Sequence, residues 1–268
     1  MTHGKIIFRA LVFSLLLSVC ALPAAQGLRA SRVIGAVVQG SHYDPVKGIV
    51  TVSVLNTSQK DITAIDFNII LTYPDGTAGS HGWSTDFLGG MISTIEQGHE
   101  IEPGAGNGTF EAGALRDFEI PQTTPITDIR ATVGVVIYAD GMADVLNETA
   151  FRQIVLQRKG RVLAMQKADE LLANALADPK NDHPSATVAA QLEGLANVLA
   201  NNKNLTDDPT SYEGLGFLVI AQDLRNAPKD PTGRSAQEEN YLRALIKTHE
   251  SRISLILPQT ELTKEGQR

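Results

Sequence analysis

The sequence predicts an α+β protein: an antiparallel immunoglobulin-like β-sandwich, residues 28–146, followed by a C-terminal α-helical region, residues 147–257. Two observations indicate this fold class. Up to Leu146 the apolar residues alternate in short runs separated by Gly, Pro, Asn and Asp, which is typical of strands and turns. From Asn147 they recur every three or four residues, which is typical of amphipathic helices. Strands followed by helices, without alternation between them, favour a segregated α+β architecture.

Residues 1–27 have the pattern of a secretory signal peptide. Two basic residues precede an apolar run from Ala10 to Leu22 that is too short to span a membrane. Cleavage after Gly27 leaves a chain without cysteine, because Cys20 is the only one. We therefore expect a secreted or periplasmic protein with no disulfide and no stable membrane span after cleavage. An uncleaved anchor and a lipidated Cys20 are the alternatives.

The two clearest strands lie in the stretch from Gly48 to Thr77. Val50, Val52 and Val54 share one face of the first strand, and the second segment alternates in the same way. The turn-forming residues at 56–61 favour an antiparallel hairpin between them. The other predicted strands lie within Val33 to Gln39, Thr109 to Leu115 and Asp128 to Tyr138.

About four amphipathic helices are predicted in the second half of the chain. Asn147 is suited to cap the first helix, which we expect to end near Ala177 and to bend at Gly160. The polar residues 258–268 predict a flexible tail. The other helix-start signals are at Ser185, Thr210 and Ser235.

The charge pattern excludes some classes of partner. The formal net charge is −7, and neither half has the clustered basic face that a phosphate backbone requires, so no nucleic-acid partner is expected. Arg158, Lys159 and Arg161 form a small basic cluster that we interpret as a solvated helix face. His249 falls on an apolar helix stripe and is interpreted as a core histidine with an internal partner.

The segment from Ala78 to Gly108 is rich in glycine and lacks periodicity. We interpret it as a long irregular loop that could contain a strand from Trp83 to Leu88, and as the place to look for function. An exposed Trp83 would anchor a partner, whereas a buried one would close an end of the sandwich. The candidate interaction residues in this segment are His81, Trp83, Asp86 and His99.

Two classes of function stay open. The leading hypothesis is an exported non-enzymatic protein that acts through contact with an unknown protein partner and uses no cofactor or metal, since no motif matches a catalytic site in both spacing and context. The alternative is a hydrolase or metal-dependent enzyme with its site in residues 78–108. His81, His99 and nearby carboxylates are metal-ligand types, and the run from Gly82 to Asp86 resembles a nucleophile elbow.

The run from Val52 to Gly76, with polar residues between two strands and an Asp75-Gly76 turn at its end, resembles the FxLYD-type domains of exported bacterial proteins. Ile101 to Gly104, followed by Phe110, is similar to that family's proline-glycine turn before a strand with an aromatic residue. The resemblance covers the predicted sandwich and leaves out most of the helical region. It implies a small immunoglobulin-like sandwich, export, and a binding or structural role, and it brings no catalytic residue.

Overall fold

A computed structural model describes residues 29–31, 34–89, 109–201, 208–228, 230 and 233–260. The predicted signal peptide and His99 lie outside these ranges. The strands are β1 Arg29–Ser31, β2 Ala36–Asp44, β3 Ile49–Asn56, β4 Ile62–Thr72, β5 Ala78–Asp86, β6 Leu115–Pro121, β7 Asp128–Tyr138 and β8 Met142–Val145. The helices are α1 Glu148–Ala177, α2 Pro184–Ala200, α3 Pro209–Arg225 and α4 Ala236–Ile256, with 3-10 turns at Phe87–Gly89 and Leu257–Gln259. The predicted α+β class with C-terminal helices is confirmed.

The strands form two sheets. The larger has the order β1-β8-β7-β4-β5, antiparallel except for the parallel pair of β1 and β8. The smaller has the order β2-β3-β6 and is antiparallel throughout. Among the described strands, consecutive ones pair only as β2 with β3, β4 with β5, and β7 with β8; in every other case the next strand belongs to the other sheet.

The predicted hairpin between β3 and β4 is wrong, because the two strands belong to different sheets. Asn56 ends β3 with a fully buried side chain, whose amide donates to the carbonyls of Lys60, Phe110 and Glu111. Its Oδ1 accepts from the amide of Ser58 at 3.0 Å. These bonds hold the polar segment in a compact connection that leads from the smaller sheet to the larger one. The turn-forming residues of this segment therefore do not mark a hairpin.

One core lies between the two sheets. The valines predicted to share a face, at positions 50, 52 and 54, are fully buried there. Phe67 of β4 and Phe118 of β6 meet edge to face across this core, with ring centroids 4.9 Å apart. An aromatic pair of this geometry adds about 0.5–1.5 kcal/mol to the stabilisation from burial alone.

The opposite face of the larger sheet is covered by α1 over only part of its length. Ala64, Val135 and Ile137 form a second core with Phe151 and Ile154 of the helix. The first six residues of β4 are consequently all buried, and alternation with solvent begins only at position 68. The sheet thus has a covered half and an open half.

The four helices share a third core. Asn147 caps α1 as predicted, accepting from the amide of Ala150 at 3.2 Å, and Ser235 caps α4. Helix α1 continues across Gly160, where a Cβ atom would lie 2.5 Å from the carbonyl oxygen of Pro209. The absence of a side chain at Gly160 therefore lets the start of α3 approach α1 closely.

Two further expectations need correction. The first nine residues of the predicted loop are a strand, β5, since small and polar residues at an edge strand give a weak alternation signal. The predicted flexible tail begins with buried residues, because Gln259 and Thr260 are 5% and 3% exposed. Residues 261–268 lie outside the described ranges.

Candidate functional site at the junction of sheet and helices

Strand β5 positions three of the four candidate residues, and it separates them onto two faces. His81 and Trp83 lie opposite Ile69 and Phe67 of β4, on the face that meets the smaller sheet. Asp86 lies opposite Ala64, on the face that meets α1. Because side chains alternate along a strand, His81 and Asp86 point in opposite directions and do not form a common site.

The two residues on the inner side of β5 have local partners. The Oη of Tyr73 lies 3.2 Å from Nε2 of the exposed His81. Trp83 is half-buried and packs against the core between the sheets, which is intermediate between the exposed anchor and the buried plug considered from sequence.

Asp86 is held between two arginines of α1, an arrangement that we call the Asp86 clamp. Its Oδ1 accepts from Nη2 of Arg158 at 2.9 Å and from the amide of Leu88 at 3.1 Å. Its Oδ2 accepts from Nε of Arg158 at 3.1 Å and from Nη1 of Arg161 at 2.8 Å. Both oxygens are thus fully engaged, and the carboxylate has no position left for a metal ion or a substrate proton.

The interpretation of the basic cluster as a solvated face is wrong for two of its three members. The side chains of Arg158 and Arg161 are 0% and 7% exposed. Arg158 also donates from Nη1 to Oε1 of Gln259 at 2.5 Å and from Nη2 to the carbonyl of Thr63 at 3.1 Å. One guanidinium therefore joins α1, β4, β5 and the turn after α4.

The electrostatics of the clamp favour an ionised carboxylate. Burial alone would raise the pKa of Asp86, but the charges of Arg158 and Arg161 outweigh it and hold that pKa below its ordinary value. Two guanidiniums facing one carboxylate leave one positive charge in excess. Neutral oxygens of Thr63 and Gln259 supply the remaining acceptors for it.

Asp66 is a second buried carboxylate on the helix-facing side of the larger sheet, and no cation neutralises it among the contacts described. It is 2% exposed, and it accepts from Oγ of Ser84 at 2.8 Å and from Nδ2 of Asn147 at 3.4 Å. Burial raises the pKa of Asp66, and these two hydrogen bonds only partly oppose the change. Its bonds connect β4 to β5 and to the cap of α1.

A third titratable group lies among the helices. His249 of α4 is 5% exposed, and its Nδ1 lies 2.6 Å from Oδ1 of Asp169 on α1. Its predicted role as a core histidine with an internal partner agrees with this geometry. Burial raises the pKa of the nearby Asp223, while the charges of His249 and Arg252 oppose that shift.

The uncovered half of the larger sheet forms a polar surface, which we call the open sheet face. Ile70, 38% exposed, lies at its centre, paired with Arg130 of β7 and Ser80 of β5. Ser80 donates to Oδ1 of Asn68 at 2.8 Å, so part of the polar lining is already hydrogen-bonded. The members of the open sheet face are Asn68, Ile70, Thr72, Ser80, Gly82, Arg130 and Thr132.

No group of three or more His, Cys, Asp or Glu side chains in the described part of the chain is arranged to hold a metal ion. None of the helices in the described ranges combines the length and apolarity needed to cross a bilayer.

No family model matches the chain, and no curated protein matches it significantly. Among solved structures, a hypothetical protein from Peptoclostridium difficile 630 is similar at 13% sequence identity and a TM-score of 0.28. The match covers 42% of this chain and 87% of that protein. A TM-score of this size does not establish a shared fold.

Proposed function

We propose that this protein is a secreted or periplasmic, non-enzymatic protein that binds a protein partner through the open sheet face. The observation that carries the proposal is the uncovered half of the larger sheet, where polar side chains surround a central, partly exposed Ile70. Interfaces of this kind combine an apolar centre with a polar rim.

Four of the buried titratable groups support a non-catalytic role. The carboxylates of Asp86 and Asp144 accept from several donors each, Glu238 accepts from Ser185, and His249 is paired with Asp169. A catalytic acid or base must instead be able to reach a substrate proton. These groups therefore serve as internal connections in this proposal.

We further propose that the two sheets form an immunoglobulin-like sandwich, related to the FxLYD-type domains that the sequence resembles. The strand order supports this proposal. Strands β2, β3 and β6 correspond to A, B and E of such a sandwich, and β4, β7 and β8 to C, F and G. Strand β5 then corresponds to C′, next to C at the sheet edge.

A photo-crosslinking residue introduced at Ser80 tests the binding proposal. In cells, the Ser80 probe should label one protein specifically, and Ile70→Asp in the same chain should abolish that labelling. A probe at Gln191, which is exposed on α2, serves as the matched control and should not label the same protein. Equal labelling from Ser80 and Gln191, or labelling unaffected by Ile70→Asp, would refute binding at this face.

Export is tested separately by the intact mass of the chain recovered from the medium or periplasm. The proposal expects a mass that corresponds to cleavage after Gly27. A full-length chain confined to the cytoplasm would contradict export, and a mass increased by acyl chains at Cys20 would show an anchored protein instead.

A further inference from the structure

We propose that residues Leu257–Thr260 form a C-terminal latch that closes the junction between the sheets and the helices. The segment is the 3-10 turn that follows α4, together with the next residue. It packs against α1 as well as α4, and its last two side chains are buried. The last two described residues are therefore part of the packed interior.

Gln259 is the side chain that carries the latch. Its Oε1 accepts from Nη1 of Arg158 at 2.5 Å and lies 2.9 Å from Oγ1 of Thr63. Its amide nitrogen donates back to the carbonyl of Leu255 at 3.4 Å, which holds the side chain on the turn. Arg158 is fully buried, so without Gln259 this donor would have no partner and no access to water.

The excess positive charge of the Asp86 clamp makes this acceptor more important than an ordinary hydrogen bond. Asp86 neutralises only one of the two guanidiniums that contact it. The second charge is stabilised by oriented oxygen dipoles, and Gln259 supplies one of them. A hydrogen bond to a charged group stabilises more than a bond between neutral groups.

The latch also sets the order in which the junction can be completed. Gln259 is 101 residues from Arg158 and 196 residues from Thr63 along the chain. The network therefore remains incomplete until the chain has been synthesised as far as position 259.

The test compares Gln259→Leu with Gln259→Glu in urea unfolding of the full mature chain. Trp83, the only tryptophan, reports on the sheets by fluorescence, and far-ultraviolet circular dichroism reports mainly on the helices. In the unchanged protein and in Gln259→Glu, which keeps an acceptor oxygen, both probes should give one shared midpoint. In Gln259→Leu the two midpoints should separate, because the junction opens before the two parts unfold.

The matched control is Gln191→Leu, which makes the same substitution at an exposed position of α2 and should leave the midpoints shared. If Gln259→Leu does not fold, the milder Gln259→Asn, which withdraws the acceptor by one methylene group, should show the same separation to a smaller degree. The latch is refuted if Gln259→Leu or Gln259→Asn lowers both midpoints equally. It is also refuted if Gln191→Leu separates them.

Discussion

Replacing Asp86 by Asn tests the main connection between the sheets and α1. The substitution keeps the shape of the side chain and removes the one negative charge that faces Arg158 and Arg161, whose side chains are 0% and 7% exposed. The amide group of Asn would also place a donor where the carboxylate accepts from a guanidinium. Removing one partner of a buried ion pair costs about 3–5 kcal/mol, because the remaining charge is left uncompensated.

That cost is large against the total stability of a domain, which is about 5–15 kcal/mol. Urea unfolding should therefore show a much lower midpoint for Asp86→Asn at neutral pH. Glu193→Gln, which breaks the partly exposed pair with Arg225, is the matched control and should change the midpoint little. A loss below about 1 kcal/mol in Asp86→Asn, the value typical of a surface pair, would refute the reasoning.

The same clamp predicts a dependence on pH with a definite sign. Because the folded state lowers the pKa of Asp86, its contribution is complete above the ordinary Asp value of 3.8 and is lost as the pH falls through the lowered folded value. Unfolding of the unchanged protein followed against pH should show this acid-induced loss, and Asp86→Asn should lack it. An equal loss in both proteins would place the effect in other groups.

Three further predictions concern other positions. Asp66→Asn should stabilise the protein at pH 7. Because the pKa of Asp66 is raised in the folded state, ionisation of this carboxyl lowers the free energy of unfolding as the pH rises from 3.8 through the folded-state pKa. A gain in the free energy of unfolding that persists below pH 3.8 would contradict this reasoning. Gly160→Ala should destabilise the protein by about 1–3 kcal/mol through overpacking, whereas Gly194→Ala, at an open helical position, should stabilise it by about 0.5–1 kcal/mol. A stability change of the same sign in both variants would be inconsistent with the close approach of α3 to α1 at Gly160. Glu238→Ala should cost about 1–3 kcal/mol in thermal or urea unfolding, because it leaves buried donors at the start of α2 without an acceptor, while the exposed Glu250→Ala should change little.

The parts of the fold that depend on local pattern could be predicted from the sequence. The period of the apolar residues changes at Asn147, and α1 begins at the next residue. The valines of β3 and the run of β7 appear as strands because their alternation is strong. The partner of β3 could not be predicted, because the choice between a hairpin and a crossing depends on the buried bonds of Asn56 to residues far along the chain.

The candidate site was predicted less well, for a physical reason that concerns register. Asp86 was selected as a candidate from its sequence neighbourhood, but its face depends on the pairing of β5 with β4. A shift of one residue would have turned Asp86 toward the smaller sheet and, at the same time, His81 and Trp83 toward α1. The sequence alone does not specify register at an edge strand that lacks a strong apolar alternation.

One signal for the clamp was nevertheless present in the sequence. Arg158 falls between Val155 and Val162 at the three- and four-residue spacing of the apolar stripe, so a helix that buries the stripe must bury the arginine as well. A buried guanidinium requires an opposing carboxylate. The position of Arg158 on the apolar stripe therefore predicts a buried acidic partner facing α1, which the basic residues beside it do not.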